Sequence, residues 1–157
     1  MKAIIQRVLS ASVTVDKEVV SSIGKGILVL AAVGVGDTEK EADSLAAKVL
    51  KLKIWDGENG SRWKRSVTEI EGEILCVSQF TLLAKTSKGN KPDFHQAAPG
   101  EEAKRLYHYF LEKVKAGYVA ERVKDGRFQA MMEVALVNDG PVTFEVVVQP
   151  KGVEEPQ

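Results

Sequence analysis

The stretch from Gly26 to Val35 reads Gly-Ile-Leu-Val-Leu-Ala-Ala-Val-Gly-Val, and it decides the fold of this chain. Its isoleucine and three valines are β-branched, a composition typical of a strand that is buried on both faces. The stretch is far shorter than the roughly 20 residues that a membrane-spanning helix needs. Gly36-Asp37 then breaks the apolar pattern. We therefore expect a central strand over Gly26–Val35 in a soluble domain.

The segments before this strand predict antiparallel pairing. Residues 1–9 alternate between two faces, which is typical of a strand. Ser12–Val15 and Glu18–Ile23 predict a hairpin whose turn is Asp16-Lys17.

Two amphipathic helices are predicted after the central strand. Thr38 and Glu41 form a capping-box pattern at the start of the first helix, because hydroxyl and carboxylate each satisfy a free backbone amide of the other residue. The apolar residues of that helix recur at helical spacing: Ala42, Leu45, Ala46, Val49 and Leu50. The second helix is expected over Glu101–Ala116, with Gly117 as the C′ residue that ends it.

The remaining strands follow from apolar runs between turn signals. They are expected over Glu73–Leu83, Tyr118–Lys124, Phe128–Val137 and Val142–Val148, with a hairpin turn at Asp125-Gly126. The predicted fold is α+β and rich in β-structure: mixed and antiparallel sheets form a barrel-like or two-sheet core, with the two main helices packed on the outside. The 157 residues suit a single domain over residues 1–149 and a disordered tail over residues 150–157.

Composition argues for the cytoplasm and against DNA as a partner. Lys plus Arg and Asp plus Glu both total 22, so the excess of positive charge that long-range capture of DNA needs is missing. The N-terminus becomes polar at Gln6-Arg7, too early for a signal peptide. One cysteine, Cys76, fits a reducing compartment. We expect a cytoplasmic protein with neither a membrane nor a DNA partner.

Conventional catalytic and metal-binding motifs are missing from the sequence. It has no Gly-rich phosphate loop and no His/Cys cluster with metal-ligand spacing, so we expect no cofactor and no metal. His95 and His108 have no nucleophile motif beside them, which favours structural roles. Cys76 is predicted to be a small buried apolar residue.

Two polar motifs stand out. In Ser78-Gln79-Phe80-Thr81-Leu82, strand alternation would place Gln79 and Thr81 on one face, about 7 Å apart. Such groups form either a satisfied network or a site, and spacing alone favours the network. Asn138–Thr143 has the local signals of a turn. Its Gly140-Pro141 bond belongs to the class of which about 5–6% is cis.

Two short stretches are locally basic. They contain Arg62, Lys64 and Arg65, and then Lys85, Lys88 and Lys91. A solvated surface is the simpler interpretation, with phosphate contacts as the alternative.

Taken together, these segments resemble the D-aminoacyl-tRNA deacylases, also called D-tyrosyl-tRNA deacylases. The resemblance covers residues 1–148 in order and with similar spacing. Ser78-Gln79-Phe80-Thr81 and Asn138-Asp139-Gly140-Pro141-Val142-Thr143 are together highly specific for the family. The other matching segments are Met1–Val8, Ala11–Val15, Lys88–Pro92 and Gln96–Pro99. Gln129 departs from the family pattern, in which a glycine is expected after Phe128.

The resemblance implies a homodimer that hydrolyses the ester between a D-amino acid and the 3′ end of tRNA, and that also removes glycine mischarged on tRNA. Gly140-Pro141, as a cis dipeptide, would enter the partner subunit's active site and exclude L-amino acids by steric clash. Arg7 would orient this motif. Phe128 and Met132, on one face of their strand, would wall the pocket.

The expected mechanism follows from the missing base. Thr81 has no evident base within its motif, so an acyl-enzyme is unattractive. The 2′-OH of the substrate would orient or deprotonate a water, and backbone amides near Phe80 and Thr81 would stabilise the oxyanion. Ser78 and Gln79 would fix the adenosine and the loop geometry, with Thr81 positioning rather than attacking.

Two other functions stay open. A non-catalytic module that binds RNA ends predicts stacking aromatics on an exposed sheet, although aromatic residues make up only 6% of the chain. A Ser/Thr esterase for small molecules predicts that His95 is essential.

Overall fold

The computed structural model describes residues 1–152. Six strands, two α-helices and two short 3-10 turns follow one another along this part of the chain. The strands are β1 (Lys2–Val15), β2 (Glu18–Ile23), β3 (Gly26–Ala32), β4 (Glu73–Ser78), β5 (Val123–Asp125) and β6 (Glu133–Val147); the helices are α1 (Glu39–Lys51) and α2 (Gly100–Ala116); the 3-10 turns are Phe80–Leu83 and Ala120–Arg122.

The sheet is organised by β1. Along one edge it pairs antiparallel with β3 and then with β2, and along the other with β6. Asp16 and Lys17 have φ of 49° and 66°, which confirms the predicted hairpin turn. The predicted break between residues 9 and 12 is wrong, because β1 continues through it with a shift in its ladder to β6. Such a shift lets a long strand bend without ending.

The sheet continues beyond β3 with parallel pairing and curls toward closure. β4 pairs parallel with β3, and β5 with β4. The hydroxyl of Ser21 on β2 donates to the carbonyl oxygen of Asp125 on β5 at 2.7 Å, so the two ends of the sheet meet. The predicted barrel-like α+β fold with two main helices is therefore confirmed.

Two predicted strands end earlier than expected. The Gly26–Val35 strand stops at Ala32 because the next backbone groups bond elsewhere: the amide of Gly34 donates to the Asp37 carboxylate at 2.6 Å. The Glu73–Leu83 strand stops at Ser78. The amide of Gln79 still reaches the carbonyl of Ala31 at 2.8 Å, after which the chain tightens into the 3-10 turn.

The hairpin predicted at Asp125-Gly126 is also wrong. The Tyr118–Lys124 segment forms a 3-10 turn and then β5, whose partner is the parallel strand β4. The amide of Gly126 donates to the carbonyl of Cys76 at 2.9 Å, which extends that pairing by one residue. The next strand, β6, begins only at Glu133 and pairs with β1 instead.

Both helices lie where the sequence predicts them. The capping box of α1 is confirmed, with the Thr38 amide donating to the Glu41 carboxylate at 2.6 Å. Gly117 ends α2, but as the C-cap and with φ of −88°, so the prediction of a left-handed C′ glycine is wrong. A Cβ at this glycine would lie 2.6 Å from the Leu50 side chain. The glycine therefore serves the close approach of the two helices.

Burial divides the interior into two apolar clusters on opposite faces of the sheet. Alternate residues of β3 separate between them: Ile27 and Val29 pack with the helices, while Leu28 packs inside the curl of the sheet with Val13 and Leu75. Cys76 is fully buried, as predicted, and it lies on the helix side of the sheet. Burial raises the pKa of its thiol.

The disordered tail predicted after the last strand lies only partly within the described residues. Of the tail predicted over residues 150–157, residues 153–157 lie outside the described part of the chain, and Pro150–Gly152 form neither helix nor strand. Within residues 1–152, no helix is both long and apolar enough to cross a membrane.

A pair of glycines two residues apart tests the β3–β4 contact. A Cβ at Gly26 would lie 1.8 Å from the backbone oxygen of Glu73, whereas one at Gly24 would meet only a side-chain oxygen at 3.6 Å. Gly26→Ala should lower the free energy of unfolding by about 3 kcal/mol or more, because backbone must move to admit the methyl group. Gly24→Ala should change it by less than about 1 kcal/mol. Urea unfolding of both variants measures these two changes. Equal changes in the free energy of unfolding would contradict this packing.

Candidate functional site

The Ser78–Thr81 motif lies where β4 leaves the sheet. Ser78 and Gln79 are half-buried, while Phe80 and Thr81 are exposed. The 3-10 turn begins with the amide of Leu82, which donates to the carbonyl of Gln79 at 3.2 Å. The amides of Phe80 and Thr81 precede that bond and have no acceptor within the turn. The end of the strand thus presents two backbone donors beside exposed side chains.

The hydroxyl of Thr81 accepts a hydrogen bond from the side-chain amide of Gln79. The predicted proximity of the two side chains is correct, although the turn produces it rather than strand alternation. An amide N–H cannot take up a proton, so Gln79 is no general base for Thr81. This geometry orients the hydroxyl without activating it.

His95 is engaged near this turn, but with a different partner. Its Nδ1 and its backbone amide both bond to Asp93 Oδ1, the latter at 2.8 Å. The backbone amide of His95, followed by its side chain, lowers the pKa of the Asp93 carboxyl. The neighbouring Phe94 ring packs on Phe80 with centroids 5.1 Å apart. The pair of hydrogen bonds therefore fixes the segment that supports Phe80.

Phe128 and Met132 lie on the turn between β5 and β6, so their predicted placement on one face of a strand is wrong. The ring of Phe128 stacks on Tyr107, with centroids 5.9 Å apart. A Cβ added at Gly126 would lie 2.9 Å from the Met132 sulfur and 3.6 Å from Val77. The turn is thus packed against the end of β4, beside Ser78.

Gln129 occupies the centre of this turn with φ of 61°. Left-handed backbone costs a residue with a Cβ roughly 1–2 kcal/mol, and glycine almost nothing. This is the physical reason why a glycine would suit the position.

Tyr107 and Asp125 support the same turn from its buried side. Tyr107 is 1% exposed, and its hydroxyl donates to Asp125 Oδ1 at 2.6 Å. Burial raises the pKa of both side chains. The sequence reasoning missed this pair, because Tyr107 lies in the apolar stripe of α2 and Asp125 in an apparent turn.

Asp139–Val142 leave the ladder between β1 and β6, and we call these four residues the wedge. The ladder pairs Val8 with Asn138 and resumes with Gln6 and Thr143. The Gly140–Pro141 bond is cis. Gly140 has φ of 145°, and a Cβ there would lie 2.8 Å from the amide nitrogen of Val142. Gly140 and Pro141 are exposed.

Asn138 closes the base of the wedge. Its side-chain oxygen accepts the amide of Val142 at 2.7 Å, and its NH₂ donates to Thr143 Oγ1 at 3.0 Å and to Gln6 Oε1 at 3.2 Å. In turns, an asparagine side chain commonly forms hydrogen bonds with backbone groups a few residues downstream. Asn138 was therefore itself the sequence signal for this contact.

Arg7 holds the wedge from the other side. Its Nε donates to the carbonyl oxygen of Asp139 at 2.9 Å and lies 3.5 Å from the Asp139 carboxylate. Its Nη1 donates to the carbonyl of Ile54 at 2.6 Å. The planar guanidinium therefore ties the wedge to β1 and to the segment after α1.

The wedge is remote from Thr81 of its own chain. It leaves the ladder opposite Arg7, whereas Ser78 is level with Ala31 and therefore with Ala3. Four residues of strand separate these levels by about 13 Å. β1 and β3 lie between them as well, because the wedge belongs to β6 and the Thr81 turn to β4.

A cavity of about 470 Å³ adjoins the 3-10 turn. It is lined by Leu82, Leu83 and His95, and by the segments around Met1 and Val148. Among residues 1–152, no group of three or more His, Cys, Asp or Glu side chains is placed to hold a metal ion.

Comparison with known proteins gives one consistent family. The family model described as D-Tyr-tRNA(Tyr) deacylase matches residues 4–147. A D-aminoacyl-tRNA deacylase of Yarrowia lipolytica is 54% identical over 147 residues, which cover 92% of this chain and 96% of the relative. Human D-aminoacyl-tRNA deacylase 1 is 50% identical over 146 residues, which cover 93% of this chain and 69% of the relative.

Two solved structures have the same architecture. The c-Myc DNA Unwinding Element Binding Protein superposes with a TM-score of 0.92 at 49% identity, over 96% of this chain and 100% of that chain. A probable eukaryotic D-amino acid tRNA deacylase superposes with a TM-score of 0.80 at 21% identity, over 92% and 97% of the two chains, which shows the shared fold. With its motifs, its fold and the family model in agreement, the chain belongs to the D-Tyr-tRNA(Tyr) deacylase family.

Proposed function

We propose that this protein is a cytoplasmic homodimer whose single domain, residues 1–149, hydrolyses the ester of D-aminoacyl-tRNA and of glycine mischarged on tRNA. The observation that carries the proposal is the position of the wedge. Gly140 and Pro141 are exposed and held by Arg7, yet they lie far from Thr81 of the same chain. A rigid projection remote from its own site suits the site of a partner subunit.

The wedge selects handedness by occupying volume. Inserted beside Thr81 of the partner, the carbonyl oxygens of Gly140 and Pro141 fill the space that an L side chain needs. An L-amino acid would clash with these oxygens and leave them without hydrogen bonds. Phe128 and Met132 wall the same pocket, and Arg7 positions the wedge without touching the substrate.

The chemistry proceeds by attack of water on the ester carbonyl. The free amides of Phe80 and Thr81 donate to the developing oxyanion, as preorganised donors do. The 2′-OH of the terminal ribose orients the water, whose proton passes to the leaving 3′ oxygen. Ser78 and Gln79 hold the adenosine and the turn. Thr81 positions the substrate and does not attack it. No cofactor or metal takes part in this scheme.

The proposed partner is the acylated 3′ end of tRNA rather than DNA. One similar structure carries a DNA-binding name. The formal net charge of this chain is zero, however, and extended contact with duplex DNA calls for a basic surface. Gripping one RNA end requires only a few phosphate contacts.

The function is tested by incubating the purified protein with D- and L-aminoacyl-tRNA carrying the same amino acid. We expect loss of the D-ester alone, because only the L side chain meets the wedge. Loss of both esters would favour an unselective Ser/Thr esterase. Loss of neither would favour a module that binds RNA ends without catalysis.

The mechanism is tested by Thr81→Ala, with Thr86→Ala as an exposed threonine control in the next loop. Because Gln79 orients Thr81 without activating it, single-turnover hydrolysis of D-aminoacyl-tRNA should stay within about tenfold of the wild type for both variants. A loss of several orders of magnitude for Thr81→Ala alone would make Thr81 the nucleophile. A tRNA with a 2′-deoxy terminal adenosine, acylated on its 3′ oxygen, should not turn over.

A further inference from the structure

A loop over residues 54–65 is tied to the same arginine as the wedge, and we call it the Trp63 loop. Its two ends pair with each other, Trp55 bridging to Arg65. The carbonyl of Ile54 accepts a hydrogen bond from Arg7, the same guanidinium that holds Asp139. The Trp63 loop and the wedge are therefore positioned by one side chain.

Trp63 is presented at the surface of this loop. Its side chain is 51% exposed, and its backbone is left-handed with φ of 59°. Its ring meets Phe144 nearly perpendicularly, with centroids 6.0 Å apart. Phe144 follows Pro141 by three residues, about 10 Å of strand. The indole is thus fixed near the wedge while half of its surface stays open.

Exposed cations flank Trp63 on both sides. Arg62 and Lys64 are exposed, and within residues 1–152 no carboxylate lies within 4.0 Å of either charge. An aromatic ring beside free cations is the combination that binds single-stranded nucleic acid, since the ring stacks on a base and the cations meet phosphates.

We propose that Trp63, Arg62 and Lys64 bind the single-stranded 3′ region of the tRNA whose ester lies in the partner subunit's active site. One unpaired base stacks on the Trp63 indole, and the two cations contact the adjoining phosphates. The proposal rests on the proposed function, because insertion of the wedge carries the Trp63 loop to the rim of the partner's site. Each subunit then supplies part of the RNA surface for the other.

Charge favours RNA over a protein surface as the occupant of this site. Covering Arg62 and Lys64 with an apolar subunit surface would desolvate two unpaired cations, which is costly. A phosphate backbone satisfies them instead. The acidic residues of the same loop, Asp56 and Glu58, are also exposed, but they precede Trp63 by five residues or more. Within the loop sequence, the basic residues are therefore the ones next to Trp63.

Tryptophan fluorescence observes this site directly. The chain has two tryptophans, of which Trp55 is 5% exposed and Trp63 51% exposed. Saturating deacylated tRNA, with saturation established by filter binding, should quench the emission of the wild type through base stacking. Trp63→Phe should abolish the quenching. Unchanged wild-type emission on saturation would overturn the site.

Kinetics separate binding of the RNA strand from chemistry. Trp63→Ala should raise KM for D-aminoacyl-tRNA roughly 5- to 150-fold, the effect of losing one stacked base. Hydrolysis of D-aminoacyl-adenosine, which lacks the strand, should be unchanged, and Trp63→Phe should restore most of the affinity. Arg62→Ala with Lys64→Ala should reduce the salt dependence of KM, whereas the α1 control Lys40→Ala with Lys48→Ala should not.

The outcomes distinguish this site from the proposed function. If the wild type hydrolyses neither D-aminoacyl-tRNA nor D-aminoacyl-adenosine, the proposed function is wrong. If it hydrolyses both and Trp63→Ala leaves KM for the tRNA unchanged, the Trp63 site alone is wrong. If Trp63→Ala slows both substrates equally and dissociates the dimer, Trp63 belongs to the subunit interface, which also contradicts this proposal.

Discussion

The hydrogen bonds of Arg7 are the interaction on which the proposed activity depends. One guanidinium, placed on the central strand β1, reaches the carbonyl of Asp139 and the carbonyl of Ile54. Because its donors are fixed in one plane, the two contacts set an orientation as well as a distance. The Trp63 ring also packs on Phe144, three residues after Pro141. A selective site and an RNA-binding surface would thus share one support.

Much of the fold was predictable because its signals are local. The hairpin at Asp16-Lys17 and the capping box of Thr38 depend on residues within a few positions of one another, and both were correct. The errors arose where distant partners decide. Asp125-Gly126 has the local signals of a hairpin, but Asp125 pairs with Cys76, about fifty residues earlier in the chain, and a local pattern carries no information on such pairing.

The candidate site was predictable in its motifs but not in its geometry. The Ser78–Thr81 and Asn138–Thr143 segments were recognised from residue identity, and Gln79 does contact Thr81. The reason differs from the predicted one, since a 3-10 turn and not a strand brings the side chains together. The apolar run after Phe128 predicts a strand there, whereas Tyr107 and Asp125 hold this residue on a turn. The distance between the wedge and Thr81 could be deduced only from the strand register, which the sequence alone does not provide.

The central claim is that each wedge acts in the site of the partner subunit, and mixing two variants tests it directly. Arg7→Ala releases the wedge, so its homodimer should hydrolyse both D- and L-aminoacyl-tRNA; Phe80→Pro removes an oxyanion donor, so its homodimer should hydrolyse neither. With Phe80→Pro subunits in excess, each Arg7→Ala site faces an intact wedge. The account predicts that hydrolysis of the L-ester disappears from the mixture while hydrolysis of the D-ester remains. Undiminished L-ester hydrolysis per Arg7→Ala subunit in confirmed heterodimers would show that the wedge acts within its own chain, and would contradict the account.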